Sequence, residues 1–353
     1  MNSNSSKINK EVTRYMEPIK IGINGFGRIG RQVLKAIWTR HSDVMQVVAI
    51  NDLFDSEKNS NLLKHDSTYG RFPGKIQLKD GDMLVDDWRI KSFSERDPKM
   101  IPWQDMGVDI VIEATGIFKE GPLAEGHRQA GAKKVIITAP AQQEDVTVVL
   151  GINEQDYDPE KHHIISNASC TTNCLAPVAS VIHKKFGIQK GKMCTVHAYT
   201  NDQRILDQPH KDPRRSRAAP NNIIPTTTGA AKAVGTVLPE LAGKIDGYSV
   251  RVPVPTVSSI DFTAVLERDT SVEELNSELK RASEEEQKGI LAYNQEPLVS
   301  SDFISDPHSA IIDPEFNSIQ DGNLAGIMAW YDNEWGYSCR IADLAKHIID
   351  KGI

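Results

Sequence analysis

The sequence predicts an α/β protein with two differently built halves. In the first half, apolar runs of strand length alternate with helical segments, which is typical of a parallel sheet covered by helices. In the second half, longer segments alternate apolar and polar residues, which indicates mainly antiparallel strands in an α+β domain. The 353 residues are enough for two domains. We expect an extension at 1–18, a first domain at 19–169 and a second at 170–335, with the last helix, 336–353, packed back on the first domain.

Charge and cysteine content exclude several classes of protein. The chain has 41 Lys and Arg residues against 48 Asp and Glu residues with the signs interspersed, and this net charge of −7 argues against a general nucleic-acid binder. Its four cysteines, Cys170, Cys174, Cys194 and Cys339, are not spaced like a disulfide framework or a zinc site. Residues 1–18 lack the apolar core of a secretory signal, and no apolar run is long enough to span a membrane. We expect a cytoplasmic protein with free thiols and no metal, whose main partner is neither a membrane nor a nucleic acid.

The first predicted strand leads directly into a glycine-rich turn. Strand Ile19–Asn24 is followed by Gly25, Gly27 and Gly30 in a G-x-G-x-x-G pattern, and then by the amphipathic segment Arg31–Trp38. Glycines at these positions allow a tight turn and a close approach of the backbone to a pyrophosphate, which is bound at the helix N-terminus. This order predicts a Rossmann-type, doubly wound domain that binds a dinucleotide.

An acidic residue follows the second predicted strand. Strand Gln46–Asn51 ends at Asp52, close to the roughly twenty residues after the glycine motif at which such domains carry a carboxylate. That carboxylate can accept hydrogen bonds from both ribose hydroxyls and would repel a 2′-phosphate, which favours NAD over NADP. The alternative is that Asp52 is only a turn residue at the strand end.

Further segments continue each pattern. In the first half we expect strands at Val108–Ala114, Lys134–Thr138 and Val146–Leu150, a helix near 123–130, and inserted antiparallel strands within 72–96. In the second half we expect strands at Met193–Thr200, Tyr248–Val252, Ile260–Leu266 and Leu324–Trp330, with helices at Ser271–Glu286 and Tyr337–Ile349.

Cys170 lies where an apolar, strand-like run changes into a helical segment that ends near Phe186. Backbone N–H groups and the helix dipole at a helix start favour a thiolate, the nucleophilic form of cysteine. His197, on a later strand, is the candidate partner that would take the thiol proton. Taken singly, the alternatives are a small buried hydrophobic residue for Cys170 and a structural role for His197.

The polar stretch Asp202–Thr227 is about 26 residues long and has little periodicity, which predicts a functional loop or a subunit contact. It contains six cationic or imidazole side chains: Arg204, His210, Lys211, Arg214, Arg215 and Arg217. A phosphate or carboxylate site, a subunit contact and an RNA-binding patch all remain open for it. The acidic chain and the lack of interleaved aromatic residues disfavour RNA.

The segment Ser166–Pro177, with the sequence SNASCTTNCLAP, resembles the active-site signature of phosphorylating glyceraldehyde-3-phosphate dehydrogenases. The resemblance runs from about Ile19 to the C-terminus. It also includes Ile23–Arg31, Glu95–Pro98, Thr226–Lys232, Arg251–Pro255 and Trp330–Tyr337.

The resemblance implies that Cys170 attacks the aldehyde of D-glyceraldehyde 3-phosphate and that His197 removes a proton as hydride passes to NAD. Inorganic phosphate then cleaves the thioester to give 1,3-bisphosphoglycerate. The family pattern assigns Thr200 and Arg251 to the substrate phosphate. It assigns Ser169, Thr171, Thr228, Gly229 and Arg215 to the attacking phosphate. We also expect Asp202 among the residues of the substrate and phosphate sites. Those that it assigns to the cofactor are Gly25, Gly27, Gly30, Arg28 and Ile29 at the pyrophosphate, Asp52 at the ribose, Arg96 and Thr138 nearby, Asn333 at the nicotinamide amide and Tyr337 behind the ring.

The resemblance also implies a homotetramer in which loop 202–227 lies at a subunit interface beside the neighbouring NAD site. Two loop positions depart from the family pattern. Many NAD-using relatives have Leu where this chain has Gln208, and Gln could donate a hydrogen bond to a phosphate, which weakens the NAD preference predicted from Asp52. Pro213, often Leu, should affect only loop stiffness.

Three alternatives to this function differ in chemistry. An erythrose-4-phosphate dehydrogenase would share the fold, but the segment Thr200–Gln203 resembles the glyceraldehyde-3-phosphate form. A non-catalytic NAD- or RNA-binding protein would have no chemical reason to keep both Cys170 and His197. Redox sensing through Cys170 and Cys174 would require a disulfide that strains the helix.

Overall fold

The computed structural model describes residues 17–353. The predicted extension at 1–18 therefore lies outside the described residues except for Glu17 and Pro18, which are exposed. Within 17–353, no helix has the length and apolar character needed to cross a membrane.

Two large sheets organise the described chain, and their elements follow in chain order. The strands of the first half are β1 Ile19–Asn24, β2 Met45–Asn51, β3 His65–Asp66, β4 Gly70–Arg71, β5 Ile76–Lys79, β6 Asp82–Val85, β7 Trp88–Phe93, β8 Ile110–Glu113, β9 Lys134–Ile137, β10 Val146–Thr147 and β11 Ile164–Ser166. Those of the second half are β12 Ile188–Ala198, β13 Ile224–Thr227, β14 Ile245–Val252, β15 Ser258–Leu266, β16 Leu291–Tyr293, β17 Ala310–Ile312, β18 Ser318–Gln320 and β19 Leu324–Tyr331. The helices are α1 Arg28–Arg40, α2 Ser56–Lys64, α3 Trp103–Met106, α4 Gly121–Gln129, α5 Cys170–Phe186, α6 Ala230–Val237, α7 Val272–Glu284 and α8 Trp335–Lys351.

The first sheet has nine strands in the order β10-β11-β9-β8-β1-β2-β7-β6-β5. It is parallel from β10 to β7, as the doubly wound pattern predicts, and the inserted strands at its edge are antiparallel. β10 is shorter than predicted, because only its first two residues join the ladder. The chain leaves β1 and β8 in opposite directions along the sheet, and this arrangement opens a crevice at their carboxyl ends.

The second sheet has the order β13-β14-β12-β15-β19-β17-β16, and β18 also pairs with β19. Most pairs are antiparallel as predicted, whereas β12 with β14 and β16 with β17 are parallel. Alternate residues of β19 are buried, because one face of the sheet packs against the core formed with α5, α6 and α7. The end of loop 202–227 is not structureless: it forms β13, which pairs with β14.

Helix α8 packs against the helix that follows the first strand of the first sheet. Its buried residues Ile341, Leu344 and Ile348 share one hydrophobic core with Val33 and Leu34 of α1. This packing holds the start of α8, and the residues just before it, close to the glycine turn that begins α1.

The second and third glycines of the motif have different surroundings, and this difference gives the first prediction. A Cβ on Gly30 would lie 2.1 Å from the carbonyl oxygen of Gly25, whereas a Cβ on Gly27 would meet nothing within 4 Å. We expect Gly30→Ala to lower the free energy of unfolding by about 1–3 kcal/mol through overpacking, and Gly27→Ala to leave it nearly unchanged. Denaturant unfolding of both variants checks this, and equal losses in the two would contradict it.

Candidate active site

Cys170 and His197 come together although one begins a helix and the other lies on a strand of the second sheet. Cys170 is the first residue of α5, and the side chain of the N-cap residue Ser169 accepts a hydrogen bond from Thr172 N at 3.1 Å. His197 is the penultimate residue of β12. The Cys170 Sγ lies 3.5 Å from His197 Nε2, so the predicted nucleophile and base are in contact.

The protonation state of Cys170 differs from the prediction. Its place at the helix start was expected to favour the thiolate, but burial raises the pKa of the Cys170 thiol, and the positive charge of Arg251 only partly opposes this effect. The physical reason is that removing water from a charged sulfur outweighs the Arg251 charge and the Thr171 hydrogen bonds, which favour the thiolate. The thiol therefore needs a base to become a nucleophile.

His197 is buried and neutral. Burial, together with the adjacent Arg251 guanidinium, lowers the pKa of His197 to about 3. Its Nδ1 lies 2.7 Å from Ala198 O, and the tautomer that donates this hydrogen bond leaves Nε2 free to accept the Cys170 proton. Arg251 Nη1, which can only donate, lies 2.8 Å from Nδ1 and 3.0 Å from the same carbonyl oxygen, so Nε2 is free only in the tautomer in which Nδ1 and Nη1 both donate to Ala198 O. The guanidinium charge acts on the pKa of both reacting groups.

Tyr331 supports this pair and was missed by sequence reasoning. Its hydroxyl lies 2.8 Å from Thr171 Oγ1 and 2.9 Å from Thr195 Oγ1. Its ring packs edge-on against that of His197, with the centroids 5.9 Å apart. Tyr331 therefore connects α5 to β12 directly behind the reacting atoms. The signal in the sequence was its position in the quoted Trp330–Tyr337 segment.

Two arginines give the site positive charge. Arg251 Nε is buried and has no hydrogen-bond partner within residues 17–353, so it is available to an anion. Arg215 donates to Thr226 Oγ1 at 2.9 Å and pairs with Asp202, and its charge contributes to lowering the pKa of His197. Asp202 thus contacts a cation, and a carboxylate in that place orients the guanidinium better than it would bind a phosphate.

The other predicted phosphate ligands lie on neighbouring loops. Thr200 follows β12, and its backbone N donates to Gln203 Oε1 at 3.3 Å. Thr228 and Gly229 precede α6, where Thr228 Oγ1 accepts from Ala230 N at 3.2 Å and Gly229 is the N-cap residue. Hydroxyl groups and a helix start are suitable donors for an anion.

A cleft opens at the carboxyl ends of β1, β2 and β8. It is lined by Asn24, Gly25, Gly27, Asn51, Asp52, Leu53, Phe54, Glu95, Arg96, Ala114, Thr115, Ile117 and Phe118. The predicted residues Gly25, Gly27, Asp52 and Arg96 are thus together, whereas Gly30 packs beneath the turn and Thr138 follows β9 outside this set. The Asp52 carboxylate is oriented by the backbone N–H groups of Phe26 and Phe54 at 2.8 and 3.0 Å.

The start of α1 fits a pyrophosphate through its backbone. Gly27 is the N-cap residue and offers no side-chain cap, so the N–H groups of Arg28 and Ile29 have no intrahelical acceptor. The Arg28 side chain is already engaged: it lies 2.5 Å from Glu334 Oε2 and 3.0 Å from Asp66 Oδ2. The backbone N–H of Arg28 is thus free of an intrahelical acceptor at the start of α1, while its side chain ties α1 to Glu334, the residue beside Asn333.

The side chains of Asn333 and Tyr337, just before and within the start of α8, are each held by a hydrogen bond. Asn333 Oδ1 accepts a hydrogen bond from Ser258 Oγ at 2.8 Å, an arrangement that leaves the amide N–H groups for a ligand. The Tyr337 hydroxyl donates to Ala168 O at 2.8 Å. Ala168 has φ 54°, a left-handed conformation that turns the chain from β11 into α5. Tyr337 thus fixes the turn that presents Cys170.

Two family models match the chain. The C-terminal domain of glyceraldehyde 3-phosphate dehydrogenase matches residues 169–333, and the NAD binding domain of the same family matches residues 19–121. A Geobacillus stearothermophilus glyceraldehyde-3-phosphate dehydrogenase is 54% identical over 335 residues, which cover 95% of this chain and 99% of that protein. The chain belongs to the glyceraldehyde 3-phosphate dehydrogenase family.

Other members of the family are similar over the same extent. A protein of that name from Streptomyces coelicolor is 53% identical over 331 residues, which cover 94% of this chain and 98% of the relative. Glyceraldehyde-3-phosphate dehydrogenase 2 of Bacillus subtilis is 50% identical over 330 residues, which cover 94% and 96%. The family resemblance inferred from the sequence motifs is confirmed, as are the fold class and the NAD cofactor.

The position of Arg251 beside both reacting groups gives the second prediction. Its charge lowers the pKa of Cys170 and of His197, so Arg251→Met should raise both. At a fixed pH below the thiol pKa, less thiolate forms, and we expect iodoacetamide to alkylate Cys170 about tenfold more slowly. Mass spectrometry with Cys194 as internal reference measures this rate. Arg251→Lys keeps the charge and serves as the control; an unchanged or faster rate in Arg251→Met would contradict the assignment.

Proposed function

We propose that the protein catalyses the phosphorylating oxidation of D-glyceraldehyde 3-phosphate. The aldehyde, NAD and inorganic phosphate give 1,3-bisphosphoglycerate, NADH and a proton. The observation that carries this proposal is the contact of 3.5 Å between Cys170 Sγ and His197 Nε2 in a chain that belongs to the glyceraldehyde 3-phosphate dehydrogenase family and uses NAD.

In the proposed mechanism, His197 accepts the thiol proton through Nε2 as the Cys170 sulfur attacks the aldehyde carbon. His197 passes this proton to the carbonyl oxygen, which becomes the thiohemiacetal hydroxyl. That hydroxyl then loses the proton back to His197 as the carbon loses hydride, and a thioester remains on Cys170. Bound NAD supplies the hydride acceptor. Phosphate oxygen then attacks the thioester carbon, the carbon–sulfur bond breaks, and the acyl phosphate leaves.

The charges around the thiol suit two anionic groups. We propose that the unpartnered Arg251 Nε and Thr200 bind the phosphate of the substrate. Arg215, Thr228, Gly229, Ser169 and Thr171 are proposed to bind the attacking phosphate. Asp202 is proposed to position Arg215 and not to contact phosphate itself, because its carboxylate already accepts from that guanidinium.

We also propose the domain limits, the assembly and the location. The limits 19–169 and 170–335 agree with the change from the first sheet to the second after β11. Assembly into a homotetramer through loop 202–227 is supported by exposed apolar side chains on it: Ile205, Leu206 and Ile223 are 77, 68 and 70% exposed. A cytoplasmic location agrees with four free cysteines.

The third prediction concerns phosphate. We expect NADH formation from glyceraldehyde 3-phosphate to require inorganic phosphate or arsenate, because water is a poor substitute for an anion bound at Arg215. Cys170→Ser should lose at least about 10³-fold in kcat/KM, and His197→Asn about 10²–10⁴-fold, since one removes the nucleophile and the other the base. Absorbance at the NADH band measures the phosphate requirement and the activity of both variants.

Sustained turnover without phosphate or arsenate would rule out the phosphorylating mechanism. Faster oxidation of a four-carbon aldehyde would favour the erythrose 4-phosphate alternative.

The fourth prediction concerns the choice of cofactor. The Asp52 carboxylate lines the cleft and would repel a 2′-phosphate, so we expect NAD to be preferred over NADP whether position 208 is Gln or Leu. Asp52→Ala should lower the ratio of kcat/KM for NAD over NADP by about tenfold or more. Kinetics with both cofactors in Gln208→Leu and Asp52→Ala test this. A larger change in the ratio from Gln208→Leu than from Asp52→Ala would assign the specificity to the loop.

A further inference from the structure

A buried polar cluster lies beneath the cofactor cleft, between β8 and α4. Glu113, the last residue of β8, is 1% exposed, and His127 in α4 is 0% exposed. His127 Nε2 lies 3.0 Å from Glu113 Oε2, and Trp103 Nε1 donates to His127 Nδ1 at 3.0 Å. Neither Glu113 nor His127 lines the cleft itself. A buried carboxylate and imidazole cost more to fold than apolar residues of similar size, so packing alone does not account for the cluster.

The contacts define a single arrangement of protons. The indole N–H of Trp103 can only donate, so His127 Nδ1 must accept and the imidazole proton resides on Nε2. That Nε2–H then donates to the Glu113 carboxylate. A doubly protonated imidazole would place an N–H against the indole N–H. The hydrogen bonds of the cluster therefore all point the same way: Trp103 donates to His127, and His127 donates to Glu113.

Both carboxylate oxygens of Glu113 accept hydrogen bonds from residues that line the cleft. Its Oε2 accepts from Asn24 Nδ2 at 2.6 Å, and its Oε1 accepts from the backbone N of Thr115 at 2.8 Å and from the Thr115 hydroxyl. Asn24 and Thr115 both line the cleft. The backbone of Gly25 lies close to that of Thr115: a Cβ on Gly25 would lie only 2.7 Å from Thr115 N. The position of the Thr115 loop therefore determines the space available at the glycine turn.

A second contact leads from the same histidine to the cleft. The Phe118 ring packs edge-on against the His127 ring with the centroids 6.3 Å apart, and Phe118 lines the cleft. Asn24 in turn accepts from Asn51 Nδ2 at 2.8 Å, and this bond extends the network across β1 to β2. One buried cluster thus orients side chains on three sides of the glycine turn.

We propose that Glu113 and His127 are positioning residues for the cofactor. They hold the Asn24 amide and the Thr115 loop at the spacing that a bound dinucleotide needs beside the glycine turn, and thereby set NAD affinity without touching NAD. This inference rests on the proposed NAD-dependent function, and its test reads cofactor binding separately from turnover.

The fifth prediction compares two substitutions of one residue. His127→Gln keeps an acceptor for Trp103 and a donor for Glu113, whereas His127→Leu removes both and leaves the Glu113 carboxylate short of a partner. Calorimetric titration of the full chain with NAD should show a Kd raised about tenfold or more in His127→Leu and within about threefold of the native value in His127→Gln. The KM for glyceraldehyde 3-phosphate and the alkylation rate of Cys170 should not change in either variant.

Three outcomes would overturn the inference. One is an NAD Kd within about threefold of native in His127→Leu, and another is an equal loss of affinity in both variants. The third is a parallel change in Cys170 alkylation, which would show a general loosening of the fold. If His127→Leu does not fold, Trp103→Phe removes the donor that fixes the tautomer together with part of the buried ring, and should weaken NAD binding about fivefold or more while Cys170 alkylation stays unchanged. An NAD Kd within about threefold of native in Trp103→Phe would overturn the inference. NAD binding by the native chain without oxidation of the aldehyde would instead refute the proposed function.

Discussion

The contact between the Cys170 sulfur and the His197 imidazole is the constraint on which the remaining structure depends. The sulfur comes from a helix that starts after the last strand of the parallel sheet, and the imidazole comes from the first strand of the second sheet. A separation of 3.5 Å between these two atoms therefore requires both sheets to be placed correctly with respect to each other. Tyr331 makes the same connection one layer deeper, where its hydroxyl joins Thr171 to Thr195.

Burial has the largest effect on the pKa of both groups at this contact. Water is removed from both the thiol and the imidazole, so both are more stable uncharged, and the pKa of the thiol rises while that of the imidazole falls. The Arg251 guanidinium favours a thiolate but disfavours an imidazolium. A neutral thiol beside a neutral base is thus the favoured resting arrangement, and in the proposed mechanism the proton moves as the sulfur attacks the aldehyde carbon.

The cofactor cleft is ordered by groups that do not face it. Arg28 ties the glycine turn to Glu334, the residue beside Asn333, and burial raises the pKa of Glu334 while the charge of Arg28 opposes this effect. Glu113 and His127 hold the opposite wall. Burying the charged or polar groups of both pairs costs free energy of folding, and what the pairs provide in return is a fixed orientation of the residues around the cleft. This is expected where a flexible dinucleotide must be bound in one conformation.

The sequence by itself determined the α/β class, the glycine turn with Asp52 and the helix that begins at Cys170, because these depend on periodicity and backbone geometry within about 35 residues. The motif around Cys170 also pointed to the family. Only the tertiary structure decided that His197 reaches Cys170, that Asp202 pairs with Arg215 and that β12 runs parallel to β14. It also brought Tyr331 to Thr171, Glu334 to Arg28 and Glu113 to His127, contacts on which the proposed supporting roles rest. Those contacts join residues that are far apart in the chain. The packing that forms them also determines how much water each buried group loses. The raised pKa of Cys170 is a property of that burial, which no local pattern records.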